Sequence, residues 1–211
     1  MILLYFTLIS IGLLSELLAV SSVYKYGSTR LPKIWRPLLL LLLAGFISDF
    51  SSLALIFFNS NNYIILYLYG FIEVLFYYFI FRSLSKGKFG MIFLKTSSIA
   101  VLIILFTEFF LFKGEINNFY SNVLSKIYVI IFSGYYALNE YKSFDLENYS
   151  LKTLITLLIL SVYSISIFYY SIFEEIIKDE SNMYNILWPI PILSTIFLNL
   201  SLAINICWKE K

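Results

Sequence analysis

The chain contains no histidine and one cysteine, Cys207. Without histidine there is no histidine-ligated haem or metal site and no histidine-dependent catalytic triad. A single cysteine excludes an internal disulfide. Charge is scarce too: 13% of the 211 residues are Asp, Glu, Lys or Arg, against roughly 25% in an ordinary globular chain. The net charge is only +2 and the basic residues lie in several short polar stretches, which offers no patch for nucleic acid. Internal repeats and low-complexity tails are missing, so inverted-repeat transport has no support. No motif calls for a cofactor or a metal.

What the chain has in abundance is apolar length. Hydrophobic residues make up 60% of it, and the mean hydropathy is +0.85. Seven runs, at about 2–23, 37–58, 63–81, 91–112, 119–137, 151–173 and 184–208, each approach the ~20 residues that carry an α-helix across a bilayer. The first run lacks a basic leading region and a small-residue cleavage site, and it is longer than a signal-peptide core, so it reads as a helix. The short connections predict one domain, residues 1–211: an all-α polytopic membrane protein, folded as a compact bundle of seven transmembrane helices. Trp35, Trp188 and Trp208 fall at or near span ends, where interfacial aromatic residues belong.

The loops after the first, third and fifth helices and the C-terminus hold eleven Lys or Arg residues, from Lys25 and Arg30 to Lys209 and Lys211. The other side holds Lys113 and Lys178. Short cytoplasmic loops retain the positive charge, which predicts an outer N-terminus and a cytoplasmic C-terminus. Usage of Lys over Arg, with much Ile, Asn, Tyr and Phe, points to an AT-rich bacterial genome and so to a multi-pass protein of a bacterial inner membrane. The stretch 174–180 is expected to be an external acidic loop that stays solvated.

Ionisable residues inside the runs stand out, because a charge at bilayer depth is costly. At 1.5 Å per residue, Asp49 lies about 14 Å, Glu73 about 15 Å and Lys126 about 11 Å from the outer ends of their helices, so the three share one layer. Glu16 lies deeper, at about 21 Å, near the level of Asn199. Glu108 is close enough to the outer end of its helix to reach water. Gly12, Gly45 and Gly70 precede Glu16, Asp49 and Glu73 by one helical turn. Small residues mark helix contacts, so these three acids are expected to face the bundle interior. Lys126 either joins them or snorkels outward.

The candidate ligand- or ion-binding residues are therefore Asp49, Glu73, Lys126, Glu16 and Asn199, with Ser15, Ser48, Ser51, Ser52, Tyr67, Tyr69, Tyr77 and Tyr78 as hydrogen-bond partners nearby. A central charge costs about 2.5–3.5 kcal/mol, and a dozen Leu, Ile, Phe or Val residues offset it with roughly 4–7 kcal/mol, so each helix inserts despite its acid. A hydrogen-bonded cluster with a structural role alone is the alternative reading.

Several sharper mechanisms fail on the residues. A retinal protein needs a lysine in the middle of the last helix, and the run 184–208 has none. An intramembrane aspartyl protease needs two embedded aspartates, but Asp145 and Asp179 fall between runs. Glu174 and Glu175 resemble the glutamate pair of a CAAX-type protease without the histidines it requires. Pro189 and Pro191 fit the first turn of the last helix, where a missing amide donor costs little.

The segment from Leu41 to Leu84 resembles a group of small, uncharacterised seven-helix inner-membrane proteins of Bacteroidetes-type bacteria. The likeness rests on Phe46, Ser48 and Asp49 in the second helix, on Tyr69, Glu73, Phe76, Tyr77 and Tyr78 in the third, and on Trp188, Asn199 and Asn205 in the last. Pro191 departs from it, standing where the group often has histidine or another polar residue. Genes of that group often neighbour sensor histidine kinases, so the resemblance implies signalling with a cytoplasmic partner such as a histidine kinase. The expected function is a non-enzymatic membrane protein that senses a small or lipidic ligand through its polar core. A small proton- or cation-coupled transporter or channel is the second expectation, and a lipid-modifying membrane enzyme the third.

Overall fold

The computed structural model describes residues 2–58, 63–85, 87–112, 119–141, 151–178 and 189–208. Those residues form seven α-helices: α1 Ile2–Arg30, α2 Trp35–Phe57, α3 Tyr63–Leu84, α4 Lys88–Phe112, α5 Phe119–Tyr141, α6 Leu151–Lys178 and α7 Pro189–Trp208. Stretches long and apolar enough to cross a bilayer occur in five of them, α1, α2, α4, α6 and α7. A shorter apolar stretch, Val123–Asn139, lies in α5.

Helix α1 runs seven residues past the expected end at 23, through a polar segment that contains no proline. It stops where Pro32 disfavours a helical residue before it. Pro32 then takes the second position of a tight turn in which the Ile34 and Trp35 amides both donate to the Leu31 carbonyl, at 3.0 and 2.9 Å. Leu31 and Ile34 are buried, so the α1–α2 corner belongs to the core. Helix α6 also overruns its expectation. The stretch 174–178 is helical rather than part of an acidic loop, consistent with the good helix formers Glu174, Glu175 and Lys178. The remainder of that loop, 179–180, and the stretch 184–188 assigned to the last helix lie outside the described residues.

Six helices close a ring. Helix α1 packs on α2, α2 on α3, α3 on α5, α5 on α6, α6 on α7, and α7 returns to α1. Helix α4 lies outside this ring, against α3 and α5. The link between α4 and α5 includes the buried pair Ser98 and Tyr128, whose hydroxyls are 2.7 Å apart. The arrangement matters for function because a ring can hold a cavity at its axis, and a helix packed outside it cannot reach that axis.

One end of the bundle is packed dry. Leu31, Ile34 and Leu38 from the α1–α2 corner, Ile80 and Phe81 from the end of α3, Ile155 from the start of α6 and Ile206 from the end of α7 join one buried cluster. Phe81 is its hub: its ring lies 5.6 Å from Tyr77, 5.4 Å from Tyr136 and 5.9 Å from Phe132. This is also the end at which Lys25, Arg30, Lys33, Arg82 and Lys88 emerge, and we call it the basic end.

The outer surface is apolar. Leu14 and Leu18 on α1, Ile47 and Phe50 on α2, and Ile92, Ile103, Phe106 and Phe110 on α4 are all exposed. Soluble proteins rarely expose contiguous apolar patches beyond a few hundred Å², so these faces fit contact with lipid.

Candidate functional site

The ring encloses a cavity of about 230 Å³. Each ring helix contributes a polar side chain to its wall: Glu16 from α1, Asp49 from α2, Glu73 from α3, Lys126 from α5, Tyr163 from α6 and Asn199 from α7. All five residues singled out in the sequence therefore line one cavity. Helix α4 contributes nothing to it. The wall carries three acids and one base, with Ser48, Ser166 and Thr195 adding hydroxyl groups.

The acids differ in their surroundings. Glu73 is 4% exposed and accepts a hydrogen bond of 2.5 Å at Oε1 from the Tyr163 hydroxyl. Tyr163 has one hydroxyl proton and commits it to Glu73, and Tyr77 lines the cavity beside it. The two tyrosine rings meet edge to face at 5.5 Å. Because Tyr77 in turn packs on Phe81, the chain Glu73–Tyr163–Tyr77 ties the floor of the cavity to the dry core of the basic end.

Glu16 from α1 and Asp49 from α2 come close together on the cavity wall. Glu16 is 6% exposed, whereas Asp49 keeps an exposed surface while lining the cavity. The close approach is made at Gly45. A Cβ placed there would stand 3.8 Å from Glu16 Oε1 and 3.6 Å from the Tyr69 hydroxyl, so the bare backbone leaves Glu16 and Tyr69 room to lean against α2. Gly12 likewise faces Ile192 and Ile196 on α7. Gly70 does not follow the expectation, since no atom lies within 4 Å of the Cβ it lacks and it makes no tight helix contact.

The layering expected from helix depth is revised by this geometry. Glu16 meets Asp49 rather than sitting in a deeper layer. Depth counted from assumed helix ends ignores tilt and axial offset between helices, which shift a side chain by several ångströms. Asn199 donates to Ser15 Oγ at 3.4 Å, and Ser15 donates to the Gly12 carbonyl at 2.7 Å. Lys126 takes the inward of its two readings, with Nζ 5.8 Å from the Tyr163 ring centre, within cation–π range. Glu108 is buried at 8% exposure instead of reaching water.

Tyr163, Ser166 and Thr195 were not anticipated. Tyr163 and Ser166 stand three residues apart and so share a helix face, but 18 tyrosines are spread through the chain, and nothing local separates this one from a lipid-facing ring. Among the described residues, no group of three or more His, Cys, Asp or Glu is arranged to hold a metal ion. What the cavity offers is a set of acceptors and aromatic walls suited to a donor-rich solute. No protein family, curated protein or solved structure matches the chain.

Proposed function

We propose that the chain is a non-enzymatic, multi-pass membrane protein that binds a small polar ligand in the ring cavity and signals its occupancy. The observation that carries this reading is that all six ring helices place a polar side chain in the same cavity. A ligand touching several of those groups draws several helices together, and helix shifts of one or two ångströms are a common currency of membrane signalling. A ligand can bias such a rearrangement only by its different affinity for the two arrangements, and a cavity fed by six helices supplies contacts that change with their spacing.

In this reading all seven helices cross the membrane, and the basic end faces the cytoplasm of a bacterial cell. The support is the excess of Lys and Arg, eleven to two, in the sequence segments at that end. The loops there would meet the partner, for which a sensor kinase is the expectation from the resemblance described above. Closure of the basic end by Phe81 and its neighbours favours a receptor over an open channel.

That closure also suits one state of an alternating-access carrier, which is the second reading. Proteoliposomes containing wild type, Asp49→Asn or Glu73→Gln separate the two. A receptor gives no proton or cation flux in any of them, while its wild type is stabilised against heat by a cavity ligand. Flux in wild type that disappears in both variants, with both variants monodisperse in detergent, would replace the receptor by the carrier.

A further inference from the structure

Glu16 and Asp49 pose a problem of charge that points to the ligand. Both line one cavity, with Glu16 Oε1 against Gly45, one turn before Asp49, and two carboxylates this near are both acceptors that can hydrogen-bond each other only while one of them holds a proton. In the ionised form Glu16 Oε2 is buried without a hydrogen-bond partner, and so is Ser48 Oγ, one residue from Asp49 on the same wall. Buried polar atoms in native structures are almost always paired, so two orphaned oxygens beside a cavity are acceptors awaiting donors. Ser48 is 5% exposed and is independent of the acid pair.

We propose that the Glu16–Asp49 pair binds a small organic ammonium cation, in exchange for the proton that the two carboxyl groups share. The proposal rests on the reading of the cavity as a ligand site and names the ligand class and its coupling. A primary ammonium carries three N–H donors, which match Glu16 Oε2, the Asp49 carboxylate and Ser48 Oγ. The rings of Tyr69, Tyr77 and Tyr163 line the same space and suit the carbon-bound side of such a cation. A bare metal ion is a poorer match, because the pair supplies only two carboxylates and no third Asp, Glu, Cys or His joins them in a metal-binding group among the described residues.

Exchange also balances charge. The pair with one proton carries a single negative charge. Two carboxylates with one ammonium carry the same charge, and the proton leaves to water. In a medium where each unbalanced charge is costly, replacing one monovalent cation by another avoids that cost, whereas simple addition of a cation or loss of the proton alone does not. Other titratable groups face the pair. Tyr69, Glu73 and Tyr77 project from α3, Lys126 from α5 and Tyr163 from α6, while α7 presents Asn199 and no titratable side chain to the cavity. Lys126 sits over the Tyr163 ring, whose hydroxyl is held by Glu73, so the acid pair is the cavity's cation-binding wall.

The test is calorimetric titration of the purified full chain with ethylammonium chloride, with ethanol as the uncharged comparator. It is run at one pH in two buffers of different ionisation enthalpy, so that the difference in heat counts protons. Saturable ethylammonium binding with release of about one proton per cation is expected, and ethanol should give no saturable heat. Asp49→Asn should lower ethylammonium affinity about tenfold or more and abolish the proton release. The wild-type proton count stands even where that variant does not fold. Ethylammonium binding without proton release would overturn the exchange. No saturable binding of ethylammonium would overturn the cation assignment. In that case, stabilisation of wild type by an uncharged or anionic solute in a thermal-shift screen would show that the cavity is a ligand site of another class, and its absence would overturn the cavity reading as well.

Discussion

Tyr163 on α6 donates its hydroxyl proton to Glu73 on α3 across the cavity floor, and these two helices are not adjacent in the ring. The bond spans the α5 sector and so fixes the spacing of three consecutive ring helices. Removing the hydroxyl leaves a buried carboxyl group short of a donor. Tyr163→Phe is expected to cost about 1–3 kcal/mol of stability. A double-mutant cycle with Glu73→Leu, which removes the acceptor, read by unfolding in mixed micelles, should return a coupling energy of the same order; strictly additive losses would mean that the pair does not interact.

Phe81 seals the basic end, and its ring is 1% exposed. Truncation to alanine should destabilise the fold by about 3–5 kcal/mol, because Tyr77, Tyr136 and Phe132 lose their common neighbour. In liposomes the same variant should raise the leak of protons or small cations above that of wild type. Unchanged leak in a folded Phe81→Ala protein would show that the seal lies elsewhere.

Glycine substitutions at two close contacts should diverge. A Cβ on Gly27 would stand 3.1 Å from Trp35 Cβ and 3.1 Å from Val23 Cγ1. The Trp35 atom is fixed to the backbone of the α1–α2 corner and has little freedom to retreat. Gly27→Ala should therefore destabilise by about 1–3 kcal/mol through overpacking. At Gly45 the added methyl meets only ordinary contacts of 3.6–3.8 Å, so Gly45→Ala should keep or slightly raise the melting temperature. Because the methyl enters the cavity beside Glu16 and Tyr69, it should weaken ligand binding. Melting curves of the two variants side by side decide the first point.

Topology can be read with single cysteines in a Cys207→Ser background. Ser28→Cys, at the basic end, should be protected from a membrane-impermeant maleimide in intact cells and react once they are permeabilised. Asn61→Cys, between the second and third hydrophobic runs, should react without permeabilisation. The reverse pattern would invert the orientation drawn from the charge count.

Sequence and structure divide this protein along a physical line. Hydrophobicity is a local quantity, and a span of about twenty apolar residues is helical in lipid because no other partner exists for its backbone. The seven helices, and the identity of Asp49, Glu73, Glu16, Lys126 and Asn199 as conspicuous polar residues within them, were therefore legible from composition along the chain. Helix ends were less legible, because α1 and α6 continue through polar residues that no hydropathy window includes. Which helices form the ring, the exclusion of α4 from the cavity and the meeting of Glu16 with Asp49 depended on tilt, rotation and side-chain fit between segments far apart in sequence. The same holds for Tyr163: its chemistry is common to all 18 tyrosines, and only the packing of α6 opposite α3 aims it at Glu73. Local free energy of transfer determined what enters the membrane. The choice of which polar groups share one cavity belonged to the tertiary structure, because it turns on short-range contacts that periodicity alone leaves degenerate.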